Sequence, residues 1–162
     1  MRVKPEGMKA ASVAVLVFHE QGQWWTLIIQ RPSWMREHPA ELAFPGGKRD
    51  AADKTLWETA QRETQEEVGI SLCTSQCLGC LEPVVIAPTG YWIWPWLVGV
   101  PARIEPHPNS HEVVQALWIR LENLWRASER GAWGMMYPTD VGVIWGASAR
   151  IIGQLCPDDN DT

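Results

Sequence analysis

The sequence predicts a single α/β domain in which helices flank a mixed β-sheet. Segments with the apolar and β-branched character of strands outnumber helix-like segments and do not alternate regularly with them. The length of 162 residues, with 46% hydrophobic and 20% charged residues, is ordinary for one globular domain. No internal repeat and no low-complexity linker divides the sequence. We therefore expect one domain over residues 1–162, with frayed tails at 1–10 and 157–162.

The first elements are a predicted hairpin and a long loop. The segments ASVAVLVF (11–18) and WWTLIIQ (24–30) are apolar, rich in β-branched and aromatic residues, and separated by a turn that contains glycine. Residues 31–53 then contain three prolines and a Gly-Gly pair, which interrupt regular structure. A loop of this length in a compact domain is usually functional.

A helix is predicted after this loop. Thr55 and Glu58 have the spacing of a capping box, and Gly69 has the position of a C-terminal cap, so the helix begins at Asp53 or Thr55 and ends at Gly69. The remaining predicted strands are 78–86, 91–100 and 112–120. The remaining predicted helices are 121–127 and 147–156, with an irregular stretch between them.

Charge and hydropathy exclude several classes of function. The formal net charge is -5, which disfavours binding to nucleic-acid phosphates. No apolar run reaches the ~18 residues that a membrane-spanning helix needs. The N-terminus lacks the apolar segment of a secretory signal. We therefore expect a cytoplasmic protein that acts on a small molecule and has neither a nucleic-acid nor a membrane partner.

Three glutamates near the end of the predicted helix repel one another. Glu63, Glu66 and Glu67 have spacings at which like charges destabilise a helix by roughly 0.2–0.5 kcal/mol per pair. They also lie near the negative end of the helix dipole. A helical projection at about 100° per residue places them beside the apolar arc, away from the polar face that carries Gln61 and Gln65. The cluster therefore borders the core and requires a cationic partner.

Magnesium or manganese ions meet this requirement, because they prefer oxygen ligands and share their coordination with water and substrate phosphates. Arg62 alone leaves two of the three negative charges unbalanced, although it could orient one carboxylate. The segment FPGGKRD (44–50) precedes the helix. It supplies glycines whose backbone can approach a ligand closely and cations available to phosphate: Gly46, Gly47, Lys48 and Arg49.

These residues resemble the Nudix box, the pattern G-x5-E-x7-R-E-U-x-E-E-x-G-U in which U is apolar. The segment RETQEEVGI (62–70) matches every fixed charged and glycine position of the second half, with Thr64 at one apolar position. Counted from Gly47, the family's first glutamate falls on Asp53, and the gap from Asp53 to Arg62 is one residue longer than the pattern. The resemblance implies a Nudix-type α/β/α sandwich.

The upstream segment LIIQRPSWMREHPAELAFPGG (27–47) resembles the signature of the coenzyme A diphosphatase branch, L-L-T-x-T-[SA]-x3-R-x3-G-x3-F-P-G-G. Arg36 and the run from Phe44 to Gly47 stand at the required spacing, whereas Arg31 and Ala40 replace the usual threonine and glycine. Segments 89–95, 111–113 and 143–148 are also similar to that branch.

The resemblance implies a diphosphatase that cleaves the pyrophosphate of a nucleoside diphosphate linked to another group. It implies coenzyme A or a CoA derivative as substrate, with 4′-phosphopantetheine and adenosine 3′,5′-bisphosphate as products. Glu63, Glu66 and Glu67 would bind Mg²⁺ or Mn²⁺, with the Gly47 carbonyl as an additional ligand. One of these glutamates, or Glu112 from a later strand, would serve as general base, and the sequence does not choose between them.

The remaining expected site residues serve orientation and substrate binding. Arg62 is expected to hold a catalytic carboxylate in place. The expected substrate contacts are Arg36, Phe44, Gly46, Gly47, Lys48 and Arg49. Two alternatives stay open: a Nudix hydrolase for ADP-ribose, NADH or nucleoside triphosphates, and a catalytically silent Nudix domain used for binding or regulation.

Two further patterns have competing interpretations. The C-x3-C-x2-C spacing of Cys73, Cys77 and Cys80 matches that of radical SAM enzymes, although free cysteines beside a strand are more often small core residues. Trp92, Trp94 and Trp96 share one face of a predicted strand. We expect this tryptophan stripe to pack under a helix, while stacking on adenine or a contact in a homodimer are the alternatives.

Overall fold

The computed structural model describes residues 3–35 and 40–157. The strands are β1 (Lys9–Glu20), β2 (Gln23–Gln30), β3 (Leu42–Ala43), β4 (Gly46–Lys48), β5 (Cys77–Cys80), β6 (Val84–Ile86), β7 (Tyr91–Gly99), β8 (Gln115–Arg120), β9 (Glu129–Gly131), β10 (Gly134–Thr139) and β11 (Gly142–Ile144). The helices are α1 (Leu56–Val68), α2 (Leu121–Arg126) and α3 (Gly146–Leu155), with a short 3₁₀ turn at Thr74–Gln76. None of the helices in these ranges is both long enough and apolar enough to cross a membrane.

Strands β1 and β2 lie at the centre of a mixed sheet. They form the predicted antiparallel hairpin, with Val17 opposite Thr26. β1 also runs parallel to β7, with Lys9 opposite Tyr91, and antiparallel to β4. β3 and β8 pair with β2, while β5 and β6 pair with β7. Within the described ranges these eight strands form one sheet, and β9, β10 and β11 form a second, antiparallel sheet.

Both faces of the larger sheet are covered. Successive side chains of a strand point to opposite faces, so β1 contributes to two cores. On one face Leu16 packs in a cluster with Val68 of α1. On the other, Val15 packs in a cluster with Leu124 of α2 and Ile151 of α3. Helices therefore lie on both sides of a mixed sheet, which confirms the predicted α/β/α sandwich.

Short strands account for most differences from the sequence prediction. The predicted loop 31–53 contains β3 and β4, and the stretch between the last two helices contains β9 to β11. The predicted strand 78–86 is divided between β5 and β6. The predicted N-terminal tail overlaps β1, because Lys9 and Ala10 pair with Tyr91 and Trp92. Such two- and three-residue strands depend on backbone pairing with distant segments, so hydrophobic periodicity does not reveal them.

Of the tryptophan stripe on β7, Trp96 packs against helix α1, as expected. The rings of Trp96 and Trp57 of α1 meet edge to face at 5.5 Å. The indole N–H of Trp96 donates to the Ser12 hydroxyl at 3.0 Å. Trp92 is buried, and Trp94 lies between the other two, with ring centroids 5.2 and 5.7 Å away. Trp96 therefore supports the helix that carries the glutamates.

Candidate functional site

Two capping residues fix the ends of helix α1. The Thr55 hydroxyl accepts a hydrogen bond from the Glu58 N–H at 3.1 Å. At the other end Gly69 has a φ of 69°, and its N–H donates to the Gln65 carbonyl. Both predicted caps are confirmed. Between these ends Glu63 and Glu67 lie one turn apart on the side of the helix that faces β4.

Glu67 is the most buried of the three glutamates, with 3% of its surface exposed. Its Oε1 accepts a hydrogen bond from the Gly46 N–H at 2.8 Å. Burial raises the pKa of Glu67 to about 8, and the negative charges of Glu63 and Glu112 act in the same direction. A desolvated carboxylate with one neutral donor has much to gain from binding a cation.

Glu63 touches strand β4 at Gly47. A Cβ atom at Gly47 would lie 2.6, 2.7 and 2.9 Å from the three carboxyl atoms of Glu63. Only glycine allows the backbone and this carboxylate to come so close. Burial raises the pKa of Glu63, while the neighbouring Arg62 lowers it. Two residues expected to share a metal ion are therefore in contact across β4 and α1.

Glu112 joins this pair from a turn that precedes β8. Its N–H donates to the Asn109 carbonyl at 2.9 Å, and the Asn109 N–H donates to the Glu67 carbonyl at 2.9 Å. The turn is thus fastened to the end of α1. The charge of Glu112 raises the pKa of both Glu63 and Glu67, which reflects how close the three carboxylates lie. The sequence placed Glu112 in a strand, but β8 begins only at Gln115.

The three carboxylates line an open pocket of 300 Å³. Strands β1, β4 and β7 contribute to its wall, as do the segments before β3 and after β6. The lining residues are Ala11, Arg31, Met35, Gly46, Gly47, Lys48, Glu63, Glu67, Ile86, Thr89, Tyr91, Ile93 and Glu112. Acidic and basic side chains therefore face the same cavity.

Glu66 does not belong to this lining. Its side chain is 48% exposed and lies 3.3 Å from Arg62 in an ion pair. Within residues 3–35 and 40–157 no three His, Cys, Asp or Glu side chains are arranged to hold one metal ion. The predicted trio of Glu63, Glu66 and Glu67 is thus not preassembled, because Glu66 is exposed and paired with Arg62, whereas Glu63 and Glu67 line the pocket.

The cysteine pattern does not form a metal site in the described parts of the chain. Cys73, Cys77 and Cys80 are free thiols, and Cys73 is exposed. The Cys77 thiol lies 3.6 Å from the Gly79 carbonyl on the same strand. The spacing that matched radical SAM enzymes therefore has no structural counterpart in these residues.

Asp53 is buried beside the pocket and forms an ion pair with the partly exposed Arg62. The Asp53 carboxylate accepts bonds from Arg62 Nε at 3.0 Å and Nη2 at 2.9 Å. It also accepts bonds from the Thr59 hydroxyl and the Asp50 N–H, each at 2.9 Å. These contacts, with the bonds from Arg62 first, hold the pKa of Asp53 well below its usual range despite burial. Arg62 in turn contacts Glu63 at 3.0 Å, a contact through which it could orient this pocket carboxylate.

The predicted substrate-binding residues have different environments. Gly46, Gly47 and Lys48 line the pocket. Arg49 donates to the carbonyl of Asp53 and lies outside this lining. Phe44 is only 2% exposed and packs in the core on the α2 and α3 side, which corrects its expected contact with substrate. Arg36 lies outside the described residues.

Arg31 is a pocket residue that the sequence analysis did not assign to the site. It follows β2 directly, lines the pocket, and its positive charge lowers the pKa of Glu67. Its Nε atom is buried and has no hydrogen-bond partner among the described residues. The available signal was a departure from the family pattern, since Arg31 stands where threonine is usual. A cation at this place can meet an anionic substrate.

The donor set of the pocket fits Mg²⁺ or Mn²⁺. Carboxylate and carbonyl oxygens are what these ions prefer. Glu67 offers a buried carboxylate with one neutral hydrogen bond, and Gly47 leaves room for its backbone beside Glu63. Both observations are what a metal site on this wall requires.

Gly47→Ala is expected to lower activity by about tenfold to a hundredfold while the protein stays folded. The new Cβ meets the far end of the flexible Glu63 side chain, which can move aside, but the carboxylate then leaves its place. The comparison variant is Gly46→Ala, whose Cβ would lie 2.3 Å from the Ser12 carbonyl oxygen at a φ of 157°. That variant should unfold at markedly lower temperature. Thermal unfolding and turnover, measured for both variants, distinguish a loss of activity from a loss of stability. An equal loss of stability in Gly47→Ala and Gly46→Ala would contradict this prediction.

In the absence of divalent metal, the stability of the protein is expected to fall as pH rises from about 4.5 to about 8. Over this interval the folded state keeps the proton on Glu67 while the unfolded state releases it, so ionisation favours unfolding. Urea unfolding in EDTA at several pH values measures the slope. Glu67→Gln should flatten it, and parallel slopes for the two proteins would refute the assignment.

Known proteins share the sequence and the architecture of this chain. The family model described as the NUDIX domain matches residues 8–137. The protein named Uncharacterized Nudix hydrolase NudL from Pectobacterium atrosepticum is 32% identical over 151 residues, covering 83% of this chain and 75% of that protein. The protein of the same name from Yersinia enterocolitica is 34% identical over 145 residues, covering 83% and 73%.

Solved structures share the fold of this chain. The NUDIX domain of Shewanella oneidensis NrtR, complexed with ADP ribose, superposes with a TM-score of 0.68 at 16% identity, over 93% of this chain and 87% of that one. A MutT/nudix family protein from Enterococcus faecalis gives 0.67 at 16% identity, over 95% and 63%. At such identities the likeness concerns the fold alone.

Proposed function

The chain belongs to the Nudix hydrolase family and is therefore a hydrolase of phosphoric anhydrides; within that class, we propose that it cleaves the pyrophosphate of a nucleoside diphosphate linked to another group. We propose coenzyme A or a CoA derivative as the substrate, giving 4′-phosphopantetheine and adenosine 3′,5′-bisphosphate. The proposed cleavage of a pyrophosphate rests on one observation: Glu63, Glu67 and Glu112 line the same pocket, together with Gly47 and Lys48.

The acidic wall of the pocket would repel a pyrophosphate on its own. Divalent ions, which Nudix hydrolases generally need, would neutralise the phosphate charge and make the attacking water more acidic. We assign Mg²⁺ or Mn²⁺ to Glu63, Glu67 and the Gly47 carbonyl. Glu66 would be a fourth ligand if its side chain turned from Arg62 toward the pocket.

We assign the role of general base to Glu112. It lines the pocket from a separate segment, and none of the hydrogen bonds within the described ranges engages its carboxylate. Glu63 is bonded to Arg62, and Glu67 is bonded to Gly46. Glu112 is therefore the carboxylate that can accept the proton of the attacking water without losing another contact.

Cations that line the same pocket support an anionic substrate. Arg31 and Lys48 line the pocket together with the carboxylates, and a phosphate bound there could contact these cations as well as metal ions held by the carboxylates. The signature-like segment 27–47 favours coenzyme A, since its Arg36 and its FPGG run stand at the required spacing. ADP-ribose is the main competitor, because the Shewanella oneidensis neighbour was solved with that nucleotide.

Parallel assays on the purified protein test this proposal. Coenzyme A, ADP-ribose, NADH and deoxynucleoside triphosphates are each incubated with Mg²⁺, with Mn²⁺ and with EDTA, and the products are separated by chromatography. We expect metal-dependent cleavage of coenzyme A to the two named products. Faster cleavage of ADP-ribose would overturn the substrate assignment alone, whereas no metal-dependent cleavage of any compound would overturn the catalytic function.

Glu112→Gln tests the general base in the same assay. The matched control is Glu129→Gln, at an exposed glutamate of β9 that is not part of the pocket lining. We expect the rate of Glu112→Gln to fall by roughly a hundredfold at saturating metal. An unchanged rate would move the role of base to one of the α1 glutamates.

A further inference from the structure

A second, basic pocket adjoins the acidic one. It has a volume of 480 Å³ and is lined by Lys4, Lys9, Ala10, Lys48, Arg49 and Tyr91. Four of these six residues are cations, in a protein whose net charge is -5. The two pockets share Lys48 and Tyr91 as a common wall. The local charge of the protein thus changes sign along the same strands that carry the site.

The pairing of three strands assembles this basic pocket. Lys9 lies opposite Tyr91 in the parallel pair of β1 and β7, and Lys48 lies opposite Ala11 in the pair of β1 and β4. The Nζ atoms of Lys9 and Lys48 are 5.8 and 5.4 Å from the centre of the Tyr91 ring. Both distances are within the range of cation–π attraction. One ring therefore concentrates two ammonium groups at the boundary of the two pockets.

Three of the four cations in this pocket, Lys4, Lys9 and Arg49, are not paired with a carboxylate among the described residues. No ion pair within residues 3–35 and 40–157 joins Lys4, Lys9 or Arg49 to a carboxylate. Lys4 donates to the Met8 carbonyl at 2.8 Å, and Arg49 donates to the Asp53 carbonyl at 3.0 and 3.2 Å. These bonds position the side chains but leave their charge in place. An anion entering the pocket would meet several cations at once.

We propose that the basic pocket binds a phosphomonoester of the substrate, distinct from the pyrophosphate that is cleaved. This inference rests on the proposed function. Lys48 follows Gly47, which contacts Glu63, so the two pockets are adjacent along β4. A nucleotide whose pyrophosphate lies against the carboxylates can place a phosphate on its ribose over Lys9 and Lys48. The pocket therefore selects nucleotides that carry both groups, and coenzyme A, with its 3′-phosphate, is such a compound.

Substrates that differ in this one phosphate test the proposal. We expect kcat/KM for coenzyme A to exceed that for 3′-dephospho-coenzyme A by roughly tenfold or more, as charge-assisted contacts would give. In Lys9→Gln the ratio of the two values should fall by about fivefold to tenfold. The matched control is Lys54→Gln, which removes the same charge from an exposed lysine outside the pocket and should keep the ratio. The ratio of kcat/KM for NADPH to that for NADH measures whether the pocket also accepts a 2′-phosphate.

A binding measurement separates this inference from the proposed function. Isothermal calorimetry in EDTA compares adenosine 3′,5′-bisphosphate with AMP, so it requires neither catalysis nor metal. We expect tighter binding of the bisphosphate, reduced in Lys9→Gln and weakened by added salt. Equal affinities for the two nucleotides in the unmodified protein would overturn the basic pocket even if coenzyme A is hydrolysed. If no compound is hydrolysed but the bisphosphate binds preferentially, the catalytic proposal fails and the pocket stands.

Discussion

Glu67→Gln is expected to lower turnover by about a hundredfold or more while leaving the metal-free protein at least as stable as before. The carboxylate is 3% exposed, receives one hydrogen bond from Gly46, and lies close to Glu63 and Glu112. Glutamine can keep the bond from Gly46 and is neutral without taking up a proton, so the apo fold gains stability at pH values above the ordinary pKa of glutamate. The lost charge is the one that a divalent ion would need, so activity falls.

Two measurements together decide this prediction. The first is kcat at saturating Mg²⁺ or Mn²⁺, and the second is the thermal midpoint in EDTA and with added metal. In the unmodified protein metal should raise the midpoint, because a ligand that binds only the folded state stabilises it. In Glu67→Gln that rise should largely disappear. Full activity with an undiminished metal-induced shift would show that Glu67 holds no metal ion.

Glu66→Gln provides an internal comparison on the same helix. Glu66 is 48% exposed and paired with Arg62, so its replacement should leave apo stability nearly unchanged. Its effect on activity should be smaller than that of Glu67→Gln and should be overcome in part by more metal. A larger loss at Glu66 than at Glu67 would reverse the order of importance that burial assigns to them.

The sequence predicts the helix and its acidic face well because local rules govern both. The spacing of Thr55 and Glu58 and the glycine at position 69 fix the ends of α1. Helical geometry then places Glu63 and Glu67 toward the core, as the projection predicted. Glycine at position 47 indicates a close backbone approach, and the structure shows Glu63 as the group that approaches.

Contacts between distant segments explain what the sequence could not predict. Arg62 contacts Asp53 from the loop before α1 as well as Glu63 and Glu66 on α1, and helix periodicity contains no information on the contact with Asp53. Arg31 reaches the pocket because β2 ends beside β4, which only the pairing of both strands with β1 brings about. Phe44 belongs to the motif-like run, yet it faces the core because successive residues of an extended segment alternate sides.

Asp53 stands where the sequence departs from the first half of the Nudix box, and its contacts stabilise the lengthened loop. The turn from Asp50 to Asp53 is closed by the Asp53 N–H donating to the Asp50 carbonyl, and by the Asp50 N–H donating to the Asp53 carboxylate at 2.9 Å. The lengthened loop thus folds back on itself. This turn brings the short carboxylate of Asp53 to the guanidinium of Arg62, which binds it through two nitrogens. We therefore expect Asp53 to position Arg62.

Asp53→Ala is expected to cost about 2–3 kcal/mol of unfolding free energy, since it removes one partner of a largely buried ion pair and leaves Arg62 and Thr59 without their acceptor. The matched control is Glu122→Gln, which breaks the exposed pair with Arg126 on α2 and should cost less than about 0.5 kcal/mol. Urea unfolding at neutral pH measures both. Because folding lowers the pKa of Asp53, its contribution is present above its ordinary pKa of 3.8 and is lost as pH falls below it. Asp53→Ala and the unmodified protein should therefore converge in stability under acid conditions.

If the role of Asp53 is purely structural, Asp53→Ala should lower the stability of the protein and leave its metal requirement unchanged. If Asp53 also positions Arg62, the freed guanidinium in Asp53→Ala can engage Glu63 and Glu66 fully and withdraw both from a metal ion. The concentration of Mg²⁺ that gives half-maximal activity should then rise several-fold, measured well below the unfolding temperature. An unchanged metal requirement would show that Asp53 only closes the loop. A raised requirement would show that the lengthened first half of the box affects how the carboxylates after it bind metal.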